Sequence, residues 1–450
     1  MEIIPLLLLV LICLALLFGY PVAFTLSGVS ILFALICIPF GIFDESILKS
    51  IPLRIFGIMN NVTLLAVPLF IFMGTVLERS GIAAKMLENM ALAFKNIRGG
   101  LSISIIAVGA LLAASTGIVG ATVVTMGLMS LPTMLERGYH PSKATGLIAA
   151  TGTLGQIIPP SIALVLLGDT LSNAYQQAQL NMGIFSPKTV SIGDLFLGAI
   201  VPGLILVFLY SVYLLLTSQS IKETQSRVID SNKIYTALRN LLPPVTLIIA
   251  VLGSILGGFA TPTEAAGVGA FGASLLASFK GKLDLLTLNE VSKNTVKVTS
   301  MVFFILIGAA IFSLVFRGFG GDTLVENFFE ELPGGVFTAT LIVMVVIFVL
   351  GFILDFIEIT FVVVPIVGPV LLAMGLDPVW LGVMIAINLQ TSFLTPPFGF
   401  ALFYLRGVAP QSVQTLDMYK GVIPFIVIQL FLLISIWVFP EIATWLPSQL

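Results

Sequence analysis

Apolar stretches of about the length that crosses a lipid bilayer recur along this chain, at residues 3–18, 20–38, 56–77, 142–168, 194–217, 241–257, 262–279, 297–316, 379–405 and 421–440. A spanning helix needs about 20 mostly apolar residues, and a backbone surrounded by lipid must satisfy its hydrogen bonds within its own segment. Composition points the same way: 58% of the residues are apolar and 9% are charged, whereas soluble domains carry roughly 25% charged residues. The stretches therefore predict an all-α polytopic membrane protein whose main surroundings are the lipid bilayer. Two further apolar stretches, 101–133 and 336–368, are too long for one span and short for two. Ser115, Thr116, Gly117, Gly120 and Thr122 interrupt the first; Asp355, Glu358 and Thr360 interrupt the second. Such stretches predict re-entrant helical hairpins, whose non-helical tips are tolerated where they are buried in protein or line a cavity.

Several function classes are excluded at once. The net charge of -2 offers no basic patch, so nucleic acid is not an expected partner. Cys13 and Cys37 lie inside apolar runs and suggest neither a disulfide framework nor a metal site. The start, Met1-Glu2-Ile3-Ile4, lacks the basic region of a signal peptide, so residues 3–18 are expected to be a retained span. An intramembrane serine protease would need a histidine within the bilayer, and the single histidine, His140, falls in a loop. An intramembrane aspartyl protease would need Gly-x-Gly-Asp, but Phe319-Gly320-Gly321-Asp322 begins with Phe. An enzyme is not expected.

The chain also repeats itself. Pro132, Gly138, Pro141, Pro159 and Pro160 recur as Pro369, Gly375, Pro378, Pro396 and Pro397, all at an offset of 237, which Gly81 and Gly318 share. Pro21 and Gly28 recur as Pro262 and Gly269 at an offset of 241. Loop 78–100 carries Arg79, Lys85, Lys95 and Arg98 against Glu78 and Glu88, while its partner 317–335 carries Arg317 against Asp322, Glu326, Glu330 and Glu331. The positive-inside rule puts the first loop in the cytoplasm and the second outside. The repeats are thus expected to be inverted. The first, 1–217, holds five spans and a hairpin, 101–133, entering from the cytoplasm. A cytoplasmic linker, 218–240, carries Lys222, Arg227, Lys233 and Arg239. The second repeat, 241–450, holds five spans and a hairpin, 336–368, entering from the periplasm. Inverted repeats with broken helices are a secondary-transporter architecture, with the site near the midplane at the repeat interface.

The chemistry is expected at two breaks. One is Thr151-Gly152-Thr153-Leu154-Gly155-Gln156-Ile157-Ile158-Pro159-Pro160-Ser161; the other is Asn388-Leu389-Gln390-Thr391-Ser392-Phe393-Leu394-Thr395-Pro396-Pro397-Phe398. A proline pair removes two backbone donors, so the carbonyls before it lose their helical partners. Those carbonyls, with Thr, Ser and Asn oxygens, suit a desolvated cation such as Na⁺, and a half-helix N-terminus beside them suits a carboxylate. Buried acids mark functional sites by default, which makes Asp355 the leading cation ligand or proton carrier. Glu264 reads equally well as a helix N-terminal cap. Arg406 and Asp169 read as interfacial charges, and His140 as solvated.

Gly19-Tyr20-Pro21-Val22-Ala23-Phe24, Val67-Pro68-Leu69-Phe70-Ile71-Phe72-Met73-Gly74 and Gly155-Gln156-Ile157-Ile158-Pro159-Pro160-Ser161 resemble the large membrane (permease) subunit of TRAP, or tripartite ATP-independent periplasmic, transporters. So do Thr261-Pro262-Thr263-Glu264-Ala265-Ala266, Leu354-Asp355 with Pro365, and Leu394-Thr395-Pro396-Pro397. The resemblance covers nearly the whole chain. It implies an elevator-type, Na⁺-driven importer of the bacterial inner membrane, fed with a small organic acid by a secreted periplasmic binding protein and braced by a separate small four-helix membrane subunit. It also implies that the hairpin tips and the breaks form the ligand sites. Mapped onto this chain, Thr122, Gln156, Pro160, Ser161, Thr395, Pro397 and Phe398 would face the substrate. Thr116, Gly117, Gly120, Thr151, Gly152, Gly155, Asp355, Glu358, Asn388, Thr391 and Ser392 would bind Na⁺. The first tip lacks the Ser-rich, Asp-containing run common among dicarboxylate and sialate members, which leaves the substrate open. A free-standing Na⁺ or H⁺ symporter of the same architecture is the alternative.

Overall fold

A computed structural model describes residues 3–94, 99–217 and 231–449. Lys95, Arg98, Lys222 and Arg227, which entered the charge reading, lie outside the described residues, as does the 218–230 part of the linker. In chain order the main helices are α1 (Ile3–Leu17), α2 (Val22–Cys37), α3 (Ile51–Met59), α4 (Ala66–Arg79), α5 (Ile82–Ala93), α6 (Gly100–Thr116), α7 (Val119–Glu136), α8 (Pro141–Thr153), α9 (Ile162–Asn181) and α10 (Ile192–Thr217). They continue with α11 (Ser231–Leu256), α12 (Pro262–Phe279), α13 (Leu285–Gly318), α14 (Gly321–Glu330), α15 (Gly335–Leu350), α16 (Phe356–Val362), α17 (Val364–Ala373), α18 (Pro378–Leu394), α19 (Phe400–Val408) and α20 (Thr415–Val438). No strand occurs among the described residues.

Local chemistry starts and stops these helices. Pro141, Pro262 and Pro378 open α8, α12 and α18, where a missing N–H removes nothing the helix would use. Asp377 caps α18 by accepting from the Trp380 amide at 2.8 Å. Thr261 and Glu264 form a reciprocal capping box at the start of α12, with Glu264 Oε2 accepting from the Thr261 amide at 2.8 Å. Of the two readings of Glu264, the structure thus displays the cap.

The helices sort into an outer and an inner set. In the outer set α4 packs on α12 and α13, and α13 packs on α2. In the inner set each hairpin's outgoing arm lies against a broken helix: α7 on α8 and α19, α17 on α9. α20 packs along α8. There the backbones nearly touch, since a Cβ on Gly146 would lie 2.1 Å from the Gly421 carbonyl oxygen, the small-residue contact that drives helix packing in lipid.

The stretches 101–133 and 336–368 form α6 with α7 and α15 with α16 and α17, the last two bent by 56°, and of these helices α7 alone is long and apolar enough to cross a membrane. Span boundaries differ more. The stretch 56–77 is not one helix: α3 ends at Asn60, whose side chain donates to the Phe56 carbonyl at 2.9 Å, and Asn61 restarts the chain by accepting from the Thr63 amide at 3.0 Å. The stretch 297–316 is the outer part of the 34-residue α13, capped at Asp284. Residues 231–240 of the expected linker already belong to α11, and the loops 78–100 and 317–335 hold α5 and α14. By length and composition six helices can cross a membrane alone, or seven with the bent pair. Of the other expected spans, 3–18 and 241–257 are shorter apolar helices, 142–168 and 379–405 are divided at a break, and 262–279 is the undivided 18-residue α12.

Candidate functional site

At the first break α8 tightens into a 3-10 turn over Leu154–Gln156, and α9 resumes at Ile162. Ser161 joins the halves. Its hydroxyl donates to the Gly155 carbonyl at 2.7 Å, contacts the Gln156 carbonyl at 3.3 Å, and caps α9 by accepting from the Leu164 amide at 3.5 Å. The carbonyl of Gly155 thus already has one partner, and one lone pair is left for another. Thr151 Oγ1 and both amide atoms of Gln156 are buried and have no hydrogen-bonding partner among the described residues. Gly152 packs against Val123, and Pro160 is buried.

The second break is bonded differently. Asn388 Nδ2 donates to the Met344 carbonyl at 2.7 Å and the Ser392 hydroxyl to the Phe348 carbonyl at 2.6 Å, tying α18 to the hairpin arm α15. Thr391 and Thr395 turn back on their own helix, donating to the Ile387 and Thr391 carbonyls at 2.7 Å. Pro397 and Phe398 are exposed. Gln390 Nε2 donates to Thr153 Oγ1 at 3.3 Å, joining the two breaks.

The hairpin tips supply the remaining parts. At the first, α6 ends in Gly117, whose φ of +60 closes the helix. A Cβ on Gly117 would lie 2.7 Å from the Ile162 amide nitrogen, so this tip rests on the first residue of α9. The side chain of Thr116 lies outside the described residues. The Thr122 hydroxyl is buried and donates to the Ile118 carbonyl at 3.0 Å. At the second tip Asp355 caps α16 by accepting from the Phe356 amide at 2.7 Å, and Glu358 Oε2 accepts from the Asp355 amide at 2.9 Å. The two acids form a capping box, the Asp355 carboxylate also accepting from the Glu358 amide, and each carboxylate keeps lone pairs beyond these bonds.

Both tips meet at a cleft with about 620 Å³ of empty space, open water included. Of the residues expected at the site, Gly117, Gly120, Gln156 and Asp355 line it together. Thr122, Thr151, Gly152, Gly155, Pro160, Ser161, Glu358, Asn388, Thr391, Ser392, Thr395, Pro397 and Phe398 stand behind or beside these walls. The sequence reading missed Phe393, Phe400 and Tyr404, and the outer-set residues Ile71, Val298, Met301 and Val302 that close the cleft from the other side. The half-helix after the second break was a usable signal for Phe400 and Tyr404. Nothing local marks the outer-set residues.

A larger cavity, about 1480 Å³ with open water included, lies toward the outer ends of α9 and α13 and is lined by Arg54, Asp169 and Arg317. Asn61 Nδ2 donates to Asp169 Oδ1 at 3.1 Å across it, and Arg317 reaches both Asp322 at 3.3 Å and the Pro365 carbonyl at 3.4 Å. Arg406 donates to the Val413 carbonyl at the end of α19, and His140 is exposed, capping α8.

A helical membrane protein in which two hairpins and two broken helices converge on a buried cleft belongs to the class of membrane transporters. Residues 8–442 match the family described as "Tripartite ATP-independent periplasmic transporter, DctM component", and the chain belongs to it. It is 29% identical to the C4-dicarboxylate TRAP transporter large permease protein of Vibrio cholerae, over 96% of this chain and 95% of that one. It is 30% identical to the ectoine large permease protein of Halomonas elongata and to the sialic acid large permease protein of Vibrio cholerae, in each case over 84% of both chains. The fold is shared with the YdaH transporter of Alcanivorax borkumensis, at a TM-score of 0.60 and 12% identity over 88% of both chains. MtrF of Neisseria gonorrhoeae, described among antimetabolite efflux pumps, superposes at 0.58 with 15% identity over 87% of this chain and 83% of that one. Family membership makes the chain a transporter subunit of the bacterial inner membrane and not an enzyme, and implies secondary transport together with a binding protein.

Proposed function

We propose that this chain imports a small organic acid against its gradient by coupling to Na⁺, the inner set of helices moving as an elevator against the outer set. The acid arrives from a secreted periplasmic binding protein, and a small four-helix membrane subunit braces the outer set. One observation carries this reading. The cleft brings a buried amide with no partner, Gln156, and the carboxylate of Asp355 between the two tips, against the apolar wall of Ile71, Val298 and Val302. A substrate held by the inner set there is covered by the outer set and released when the two slide apart.

The donor set suits Na⁺. Among the described residues no three His, Cys, Asp or Glu gather; the available atoms are hydroxyl, carbonyl and carboxylate oxygens, which hard cations favour. Thr151 Oγ1 is a buried oxygen with no partner, and Gly155, Asp355 and Glu358 keep lone pairs beyond their internal bonds. Asn388 and Ser392 use their donors on α15 and still offer oxygens.

Two inverted repeats, 1–217 and 241–450, are supported by duplicate packing. α4 on α12 is matched by α13 on α2, and α7 on α19 by α17 on α9. Thr153 and Gln390 are separated by the repeat offset of 237 and hydrogen-bond to each other; a residue meets its own image only near a two-fold axis. Among the described residues, side-chain hydrogen bonds cross the sliding boundary where Thr125 donates to Glu78 Oε1 at 2.8 Å, Asn61 meets Asp169, and Arg317 reaches the Pro365 carbonyl at 3.4 Å. The named substrates of relatives, C4-dicarboxylates, sialic acid and ectoine, set the range of candidates.

Uptake into proteoliposomes holding this chain and its small subunit tests the proposal. Organic-acid uptake is expected only with both an inward Na⁺ gradient and loaded binding protein. Uptake indifferent to Na⁺ refutes the coupling. Cysteines replacing Glu88 and Asn327 are expected to label from opposite faces of the membrane, and labelling from one face removes the inverted repeat.

A further inference from the structure

We infer that the cleft takes an acid with one carboxylate, a hydroxyl beside it and an apolar tail, in preference to a dicarboxylate. This rests on the transport reading above and concerns the chemistry of the walls. Gln156 is 1% exposed, lines the cleft, and leaves both Nε2 and Oε1 without a partner among the described residues. Burying an amide this way is unfavourable until something bonds to it. Nε2 requires an acceptor and Oε1 a donor. A 2-hydroxy carboxylate meets both demands from one end of the molecule: a carboxylate oxygen accepts from Nε2, and the neighbouring hydroxyl donates to Oε1.

Two further features place the charge at that end. Ile162 and Ala163, the first residues of the 20-residue α9, line the same cleft, and a helix N-terminus favours an anion. Elsewhere the wall offers a second carboxylate the Tyr404 hydroxyl and the start of α7 at Val119 and Gly120, with no cationic side chain among the described residues. Val298, Met301, Val302, Phe393 and Phe400 are apolar, and the one charged lining residue is the acid Asp355. No basic side chain lines the cleft among the described residues. A second carboxylate would be desolvated against hydrocarbon with no counter-ion from the wall, which is strongly unfavourable. A branched aliphatic or aromatic tail gains by covering the same surface.

The test is ligand-dependent thermal unfolding of the purified chain with its small subunit in saturating Na⁺, without binding protein, so that the cleft alone selects. The probes are 2-hydroxy-4-methylpentanoate, 4-methylpentanoate and malate. The first is expected to stabilise at a half-saturating concentration about tenfold or more below that of malate, with the acid lacking the hydroxyl in between. In Gln156→Leu the advantage of the hydroxyl acid over 4-methylpentanoate is expected to vanish while stabilisation by Na⁺ persists. Malate binding as tightly as the monocarboxylate overturns the inference and leaves Na⁺-coupled transport standing, as does an unchanged hydroxyl preference in Gln156→Leu. If none of the three acids stabilises the protein while another organic acid is taken up with Na⁺ and binding protein, this inference alone fails; if no organic acid is taken up, the transport reading fails and this inference with it.

Discussion

At the first break the side chains of Thr151 and Gln156 lie buried without partners among the described residues, whereas at the second Asn388, in the position that corresponds to Thr151, holds the Met344 carbonyl, and Ser392 holds that of Phe348. The same plan of polar residues followed by a proline pair has been put to two uses. The second break is bonded to its hairpin arm, and Gln390 Oε1 is the buried side-chain atom there that is left without a partner among the described residues. The first is held together by a single serine, Ser161, and leaves polar groups beside the cleft that a ligand can satisfy. The tips differ in the opposite sense: the first is a glycine turn with no charge, the second a capping box of two acids. Recognition therefore collects at the first break and negative charge at the second tip.

The largest effect is expected from removing that charge. Asp355→Ala with Glu358→Ala takes away both carboxylates and the cap of α16. Initial uptake rates should fall by about a hundredfold, with a higher Na⁺ concentration needed for half-maximal rate. An unchanged Na⁺ dependence would reduce the pair to a helix start. Next come two substitutions of opposite sign. Asn388→Leu strands the buried Met344 carbonyl and should destabilise the ligand-free protein by about 1–3 kcal/mol; Gln156→Leu removes an unpaired amide and should stabilise it by a similar or smaller amount. Thermal unfolding without substrate reads both, and shifts of the same sign would erase the contrast between the breaks. A smaller loss, about 1–2 kcal/mol from φ alone, is expected for Gly117→Ala, because an L side chain resists the left-handed conformation; contact with the Ile162 amide adds to it. A normal unfolding temperature in that variant would show that the first tip does not rest on α9. The smallest effect belongs to Ser392→Ala, about 1 kcal/mol for one hydrogen bond, seen as a slight drop in unfolding temperature with uptake retained. Abolished uptake in a stable Ser392→Ala protein would move the ligand site to the second break.

The limits of the sequence reading have identifiable causes. The stretch 56–77 looked like one span because hydropathy averages over Asn60 and Asn61, while the side-chain bonds those residues make to Phe56 and Thr63 end one helix and restart the chain. The extension of α13 before residue 297 was missed because residues 285–296 are polar enough to resemble a loop, although Asp284 caps them as helix. Glu264 and Glu358 are both buried-looking acids in the sequence, and both turn out to complete capping boxes, a pairing visible in the Thr261-x-x-Glu264 and Asp355-x-x-Glu358 spacings.

The sequence by itself determined the helical membrane class, the two breaks and the family. These follow from properties carried by neighbouring residues: the length of an apolar run against the thickness of a bilayer, and the donor that each proline lacks. Only the tertiary structure decided which polar groups are free. Asn388 and Ser392 find their acceptors 44 residues away on α15, while Gln156 finds none. It also decided that Ile71, Val298, Met301 and Val302 close the cleft. A hydrogen bond or an apolar wall between helices depends on where those helices sit relative to one another, and the long-range packing that sets this leaves no local pattern in any one of them.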